Sequence, residues 1–162
     1  MESVELAIRC YTEPVEGGGR TYSKNYVNPD FHRVLVFDCE TTVDQFQNLT
    51  FGTCQIYERD KLVFQVLFYN ENINEKQIAI IREFANTNNI IIIKVREFVD
   101  LVFLPEVYDN RTLCVGFNLP FDLSRLAISF GIARGKNEGG FSFKLTDDPR
   151  YPRLVVKHLD ST

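Results

Sequence analysis

Val34-Leu35-Val36-Phe37-Asp38-Cys39-Glu40-Thr41-Thr42 runs from four β-branched, aliphatic and aromatic residues straight into two carboxylates. The apolar run predicts a buried strand that starts near Val34. Side chains alternate along a strand, so Asp38 and Glu40 share one face while Phe37 and Cys39 share the other. Two carboxylates at the carboxyl end of a central strand repel each other and lose hydration if they are unpaired. A hard divalent cation, Mg²⁺ or Mn²⁺, with oxygen ligands answers both problems. Plain solvation, where the strand runs into a loop, answers them equally.

On the C-terminal side, Thr50 to Glu58 and Leu62 to Tyr69 are two further strand candidates, rich in Phe, Val, Ile and Tyr. The short break Arg59-Asp60-Lys61 between them predicts a hairpin. From Asn74, a plausible N-cap, Ile78, Ile81, Phe84 and Ala85 recur at helical spacing. Ile90 to Val95 reads either as a strand or as the approach to the next helix. That helix is carried by Val95, Phe98, Val99, Val102 and Phe103 and is expected to end near Pro105. Leu113 to Phe117 is another buried strand. Leu123, Leu126, Ala127 and Phe130 then predict a helix from Pro120 to Gly131. Short strands are expected at Phe141 to Leu145 and Leu154 to Val156. On the N-terminal side, Val4, Leu6, Ile8 and Cys10 alternate as a half-buried strand, and Gly17-Gly18-Gly19 lacks the Lys-Ser/Thr of a P-loop. Residues 1–30 read as an N-terminal extension and 31–162 as one α/β domain with a mixed sheet.

A second acidic motif, Gly116-Phe117-Asn118-Leu119-Pro120-Phe121-Asp122-Leu123, also follows a buried strand and opens a helix. Asp122 in the first helical turn complements the macrodipole, and Asn118 can serve as a cap. The same placement can deliver Asp122 toward Asp38 and Glu40, because ligands of open α/β sheets sit at the carboxyl ends of strands. On that reading the three carboxylates converge within a few ångströms.

Val36-Phe37-Asp38-Cys39-Glu40-Thr41-Thr42 resembles the first exonuclease motif of the DnaQ-like (DEDD) 3′–5′ exonucleases. The segment from Gly116 to Asp122 resembles the second. The order of elements is similar to their ribonuclease H-like fold, with three antiparallel strands followed by helices and parallel strands, over about residues 33 to 130. The resemblance implies that Asp38 and Glu40 ligate the metal nearest the nucleophilic water and that Asp122 holds a second ion. It implies that Thr41 lies beside the terminal nucleotide, Asn118 braces the loop and Phe121 packs near the site. The implied chemistry is in-line hydrolysis of a phosphodiester with two Mg²⁺ or Mn²⁺ ions about 4 Å apart. The implied partner is a single-stranded 3′ end of DNA or RNA, with a polymerase or other protein partner left open. Arg125, Arg134, Lys136 and Arg150 are candidates to position its phosphates.

The family's third motif, a His or Tyr followed a few residues later by an acidic ligand, has no match. His158-Leu159-Asp160 has a single residue between its two members, and Tyr151 has no Asp four positions on. A chain of this pattern is expected to lack the last helix of the site. The alternative is a ribonuclease H-like module that holds nucleic acid or a protein without cutting.

Composition limits the rest. The 162 residues are 44% apolar, with 14 Phe, 7 Tyr and no Trp, which excludes a disordered tail and a disulfide-stapled miniprotein. A net charge of −4 argues against binding by bulk electrostatics. Residues 125–162 nevertheless carry seven Lys/Arg against four Asp/Glu. Cys10, Cys39, Cys54 and Cys114 show no metal spacing and are expected to be reduced. No apolar run approaches the roughly 20 residues of a membrane span, and Glu2 and Glu5 disfavour a signal peptide. A cytoplasmic protein is expected.

Overall fold

In the computed structural model, β1 (Arg33–Thr41) alternates as its sequence requires: Leu35, Phe37 and Cys39 are buried, while Val36, Asp38 and Glu40 are exposed. The structure describes residues 32–156. The expected N-terminal strand at Val4 to Cys10, the triple glycine and His158 to Asp160 lie outside the described residues. β1 pairs antiparallel with β2 (Leu49–Glu58), which pairs antiparallel with β3 (Lys61–Tyr69). The turn between β2 and β3 is tight. Its two central residues, Arg59 and Asp60, take positive φ angles of 45° and 66°, the backbone twist that suits a two-residue hairpin.

α1 (Glu75–Thr87) starts where Asn74 predicts. The Asn74 side chain accepts from Gln77 N at 2.9 Å, and Gln77 Oε1 accepts from Asn74 N at 3.2 Å. These reciprocal bonds satisfy two of the orphan donors at a helix start. Ile90 to Val95 resolves into both readings, as β4 (Ile91–Lys94) and then α2 (Val95–Phe98). Helical backbone does not stop near Pro105 but continues to Asp109 in wider π-type turns. Leu104 N donates to Val99 O and Asn110 N to Pro105 O, each five residues back. The proline ring crowds the carbonyl four residues earlier in an α-helix, and a wider turn relieves that crowding.

β5 (Leu113–Val115) pairs parallel with β1. The five strands lie in the order β4-β3-β2-β1-β5, with parallel pairs at both edges and antiparallel pairs between. α3 (Leu119–Leu126) is shorter than its sequence predicts. It ends at Leu126, and Ser129 onward forms β6 (Ser129–Ile132), paired with β7 (Phe141–Lys144) and, through it, with β8 (Leu154–Val156). Phe130, which extended the helical spacing, is instead 78% exposed. Ile128 N bonds Lys144 O at 2.8 Å, so strand pairing takes over directly after α3.

The main core lies on the face of the sheet that carries Leu35, Phe37 and Cys39. Phe98 stacks on Phe68 with ring centroids 4.0 Å apart, and Phe103 meets Phe37 edge-on at 5.4 Å. Gly52, opposite Cys39, makes that packing possible: a Cβ there would stand 2.2 Å from the Phe68 ring and 2.6 Å from Asp38 O. On the other face α1 covers only the β3–β4 half, through Ile81 and Ala85 against Leu67 and Tyr69. Val36 and Val115, on the β1–β5 half of that face, remain 37% and 40% exposed. No helix among the described residues is long and apolar enough to cross a membrane.

Candidate active site at the end of β1

The parallel β1–β5 pair ends β5 opposite Val36, β1 runs on in the same direction to Thr41, and α3 starts just beyond β5. Gly116 permits the close turn between them. A Cβ there would lie 2.7 Å from the Leu119 side chain and 3.2 Å from Phe37 O. Pro120 occupies the first turn of α3, where its missing N–H costs nothing. Asn118 holds this turn through its backbone: its carbonyl accepts from Phe121 N at 2.9 Å and Asp122 N at 3.1 Å, and its side chain makes no cap.

Asp122 is thereby turned into the protein, where it is 1% exposed. Its Oδ1 accepts from Cys39 N at 3.2 Å, and the Cys39 thiol faces Asp122 O at 3.8 Å. Its Oδ2 is buried without a hydrogen-bond partner. An unpaired buried carboxylate oxygen is expensive. Burial, then the charge of Asp38, push the Asp122 carboxyl up to about 6; the Cys39 N–H opposes this and Glu40 adds to it. Asp38 and Glu40 flank Cys39, so Asp122 meets β1 between them in the chain.

The three carboxylates are electrically coupled but not closed around a point. Asp38 and Glu40 are turned out to solvent, and among the described residues no three His, Cys, Asp or Glu side chains form a ready cage. The donor set still suits a hard cation. It offers carboxylate oxygens only, one of them buried and unsatisfied, beside two exposed side chains whose rotamers turn at little cost.

Thr41 is half-buried and follows a break in the β1–β2 register at Glu40/Thr41. Such irregularities re-aim side chains at sheet ends. Beside it opens a groove of about 490 Å³, lined by Glu40, Thr41, Thr42, Val43 and Phe51 from the β1–β2 side and by Gln77, Ile80 and Ile81 from α1. That volume falls within the 300–1,000 Å³ typical of small-molecule sites.

The expected phosphate-binding cations fare differently from one another. Arg125 donates to Phe46 O at 3.3 Å and Gln47 O at 2.6 Å, and its guanidinium carbon lies 4.9 Å from the centroid of the half-buried Phe121 ring. Arg150 is paired with Asp148 at 2.6 Å, while Arg134 is exposed. The side chain of Lys136 lies outside what is described. Tyr151, considered for the third motif, donates to Asp109 at 3.0 Å and packs edge-on against Tyr108, a structural role.

Sequence reasoning missed the groove's far wall and the turn after Thr42. Asp44 closes that turn by accepting from Thr42 Oγ1, Phe46 N and Gln47 N. The spacing Thr42-x-Asp44 is a local signal that could have marked it. The far wall carries no such signal, because Ile80 and Ile81 lie on α1, which meets the end of β1 only in the fold. Comparison of the chain with protein-family models, with curated proteins and with solved structures finds no match.

Proposed function

We propose that this chain is a metal-dependent 3′–5′ exonuclease domain of ribonuclease H-like architecture, which hydrolyses phosphodiester bonds at nucleic acid 3′ ends. One observation carries the reading: a buried carboxylate oxygen of Asp122 without a partner, held against β1 between Asp38 and Glu40. The strand pairing supports it, since β1, inside the sheet, lies antiparallel to β2 and parallel to β5. Asp38, Glu40 and Asp122 are the residues that would hold Mg²⁺ or Mn²⁺. When bound, such ions supply Lewis-acid stabilisation of the attacking and leaving oxygens of an in-line displacement.

The protein's own contribution is positioning. Asp122 offers a desolvated negative charge, fixed by the Cys39 N–H, that favours a cation over a proton above about pH 6. Asp38 and Glu40 stand at the solvent side, where a polyanionic strand can approach. The groove beside Thr41 accepts the terminal nucleotide, with its base against Phe51 and Ile80. A second reading, a binding module without turnover, draws on the absence of a closed carboxylate cage among the described residues.

An end-labelled single-stranded oligonucleotide, incubated with the protein and Mn²⁺, separates the two. Stepwise loss of 3′ nucleotides that disappears in Asp38→Ala is the expected result. Metal-insensitive binding without cleavage would establish the module and sink the exonuclease.

A further inference from the structure

The turn at residues 42–48 leads directly out of the Glu40–Thr41 irregularity, and Thr42 and Val43 form part of the groove wall. The turn is closed locally: Thr42 N donates to Asn48 O and Asn48 N to Thr42 Oγ1, both at 2.9 Å, around the bonds made by Asp44. Little packs beneath it. Val43 is fully exposed and Phe46 is 66% exposed. Among the described residues, the hydrogen bonds that reach Val43 to Gln47 from beyond the turn all come from Arg125.

Arg125 is itself fixed. Its Nε donates to Ser124 Oγ at 3.0 Å, Ser124 Oγ donates to Phe121 O at 2.5 Å, and the guanidinium lies over the Phe121 ring. Phe121 is the neighbour of Asp122 on α3. One side chain therefore spans from the helix that carries the buried carboxylate to the turn whose first residues, Thr42 and Val43, line the groove. A guanidinium suits this task because Nη1 reaches two adjacent carbonyls while Nε bonds Ser124 and the plane stacks on an aromatic face.

We propose that Arg125 is a positioning residue, which ties the 42–48 turn to α3 and so holds the substrate groove at a fixed distance from Asp122. The effect on turnover rests on the exonuclease reading; the tether itself does not. Its loss loosens the groove and leaves the carboxylates in place, so it weakens substrate capture without weakening metal binding.

Three measurements on wild type, Arg125→Ala and Arg125→Lys test this: amide hydrogen exchange of residues 43–48, Mn²⁺ binding by calorimetry, and KM and kcat on an end-labelled single strand with Mn²⁺. In Arg125→Ala, the expected results are faster exchange in 43–48, Mn²⁺ affinity within about twofold and KM raised about tenfold with kcat little changed. Arg125→Lys, which keeps the charge but loses the Nε bond to Ser124 and the planar stacking on Phe121, should fall between. Faster exchange with an unchanged KM overturns the proposal, because the tether would then be structural only. A raised KM with unchanged exchange also overturns it, by assigning Arg125 to the phosphates directly. A wild type that neither binds Mn²⁺ nor hydrolyses refutes the exonuclease reading, and the exchange data would still report the tether separately.

Discussion

Replacing Asp122 by Asn tests the buried carboxylate most directly. The variant keeps an oxygen to accept from Cys39 N and removes the charge. In the wild type, the Asp122 carboxyl titrates near 6 in the folded state against an ordinary value of 3.8, driven up by burial and then by Asp38. The fold thus prefers the protonated acid. Stability from this group is fully present below about pH 4 and is lost as the pH rises through 6. A shift of about two units corresponds to roughly 3 kcal/mol, at 1.36 kcal/mol per unit. The amide adds an unpaired buried donor, costing about 1–3 kcal/mol, but that offset does not depend on pH.

The diagnostic quantity is therefore the difference in unfolding free energy between Asp122→Asn and wild type, measured by urea titration in EDTA at several pH values. It should move by roughly 3 kcal/mol in favour of the variant between pH 4 and pH 7.5. In thermal melts that is on the order of 6–12 °C for a chain of this size. Adding Mn²⁺ at pH 7.5 should raise the wild-type melting temperature and leave the variant unmoved. A difference flat across pH would show that Asp122 carries no buried charge, and the argument for a cation site would fall with it.

Three other substitutions probe the scaffold. Gly52→Ala forces a Cβ against the Phe68 ring and the Asp38 carbonyl, and should cost about 3 kcal/mol by urea midpoint; a loss under about 0.5 kcal/mol would mean the site relaxes freely. Glu106 accepts a two-pronged bond from Arg33 at 2.7 and 2.8 Å and one from Thr112 at 2.6 Å, which holds its carboxyl below the usual range. Glu106→Gln should cost about 1–3 kcal/mol at pH 7, and the deficit should shrink as acid protonates the wild-type carboxylate; a pH-independent deficit would speak against the ion pair. Asn74→Ala removes the α1 cap and should cost about 1 kcal/mol, with helical amide exchange accelerating first at residues 75–78.

Much of the sheet was legible because β1 and β2 alternate toward one core, while β3 is rich in apolar residues and ends in four that are buried on both faces. Asn74 marked where α1 starts, and the helical spacing of Ile78, Ile81, Phe84 and Ala85 carried it on. Phe130 misled because it falls at helical spacing after Leu126, while its side chain stands in solvent on a strand. Pro105 misled for a different reason: the rule that proline ends a helix assumes α spacing, and the chain widens instead. At the site, the types and order of Asp38, Glu40 and Asp122 were readable. That Asp122 would be buried while its partners stay exposed was not, since it depends on Gly116 and on how closely β5 approaches β1. For Arg125 the sequence shows a charge suited to phosphate and conceals the two carbonyls that it bonds.

The parallel pairing of β1 with β5 has a kinetic consequence. The β1–β3 meander closes through short connections, whereas Val34 meets Leu113 across about 80 residues of intervening chain. Each doubling of a closed loop adds about 0.6 kcal/mol of entropic cost, so the meander can nucleate well before β5 docks. Asp38 and Glu40 are then aligned early, while Asp122 arrives with the later β1–β5 closure. Destabilising changes in α3 should speed unfolding and leave the refolding rate nearly untouched, and changes in the meander should do the reverse.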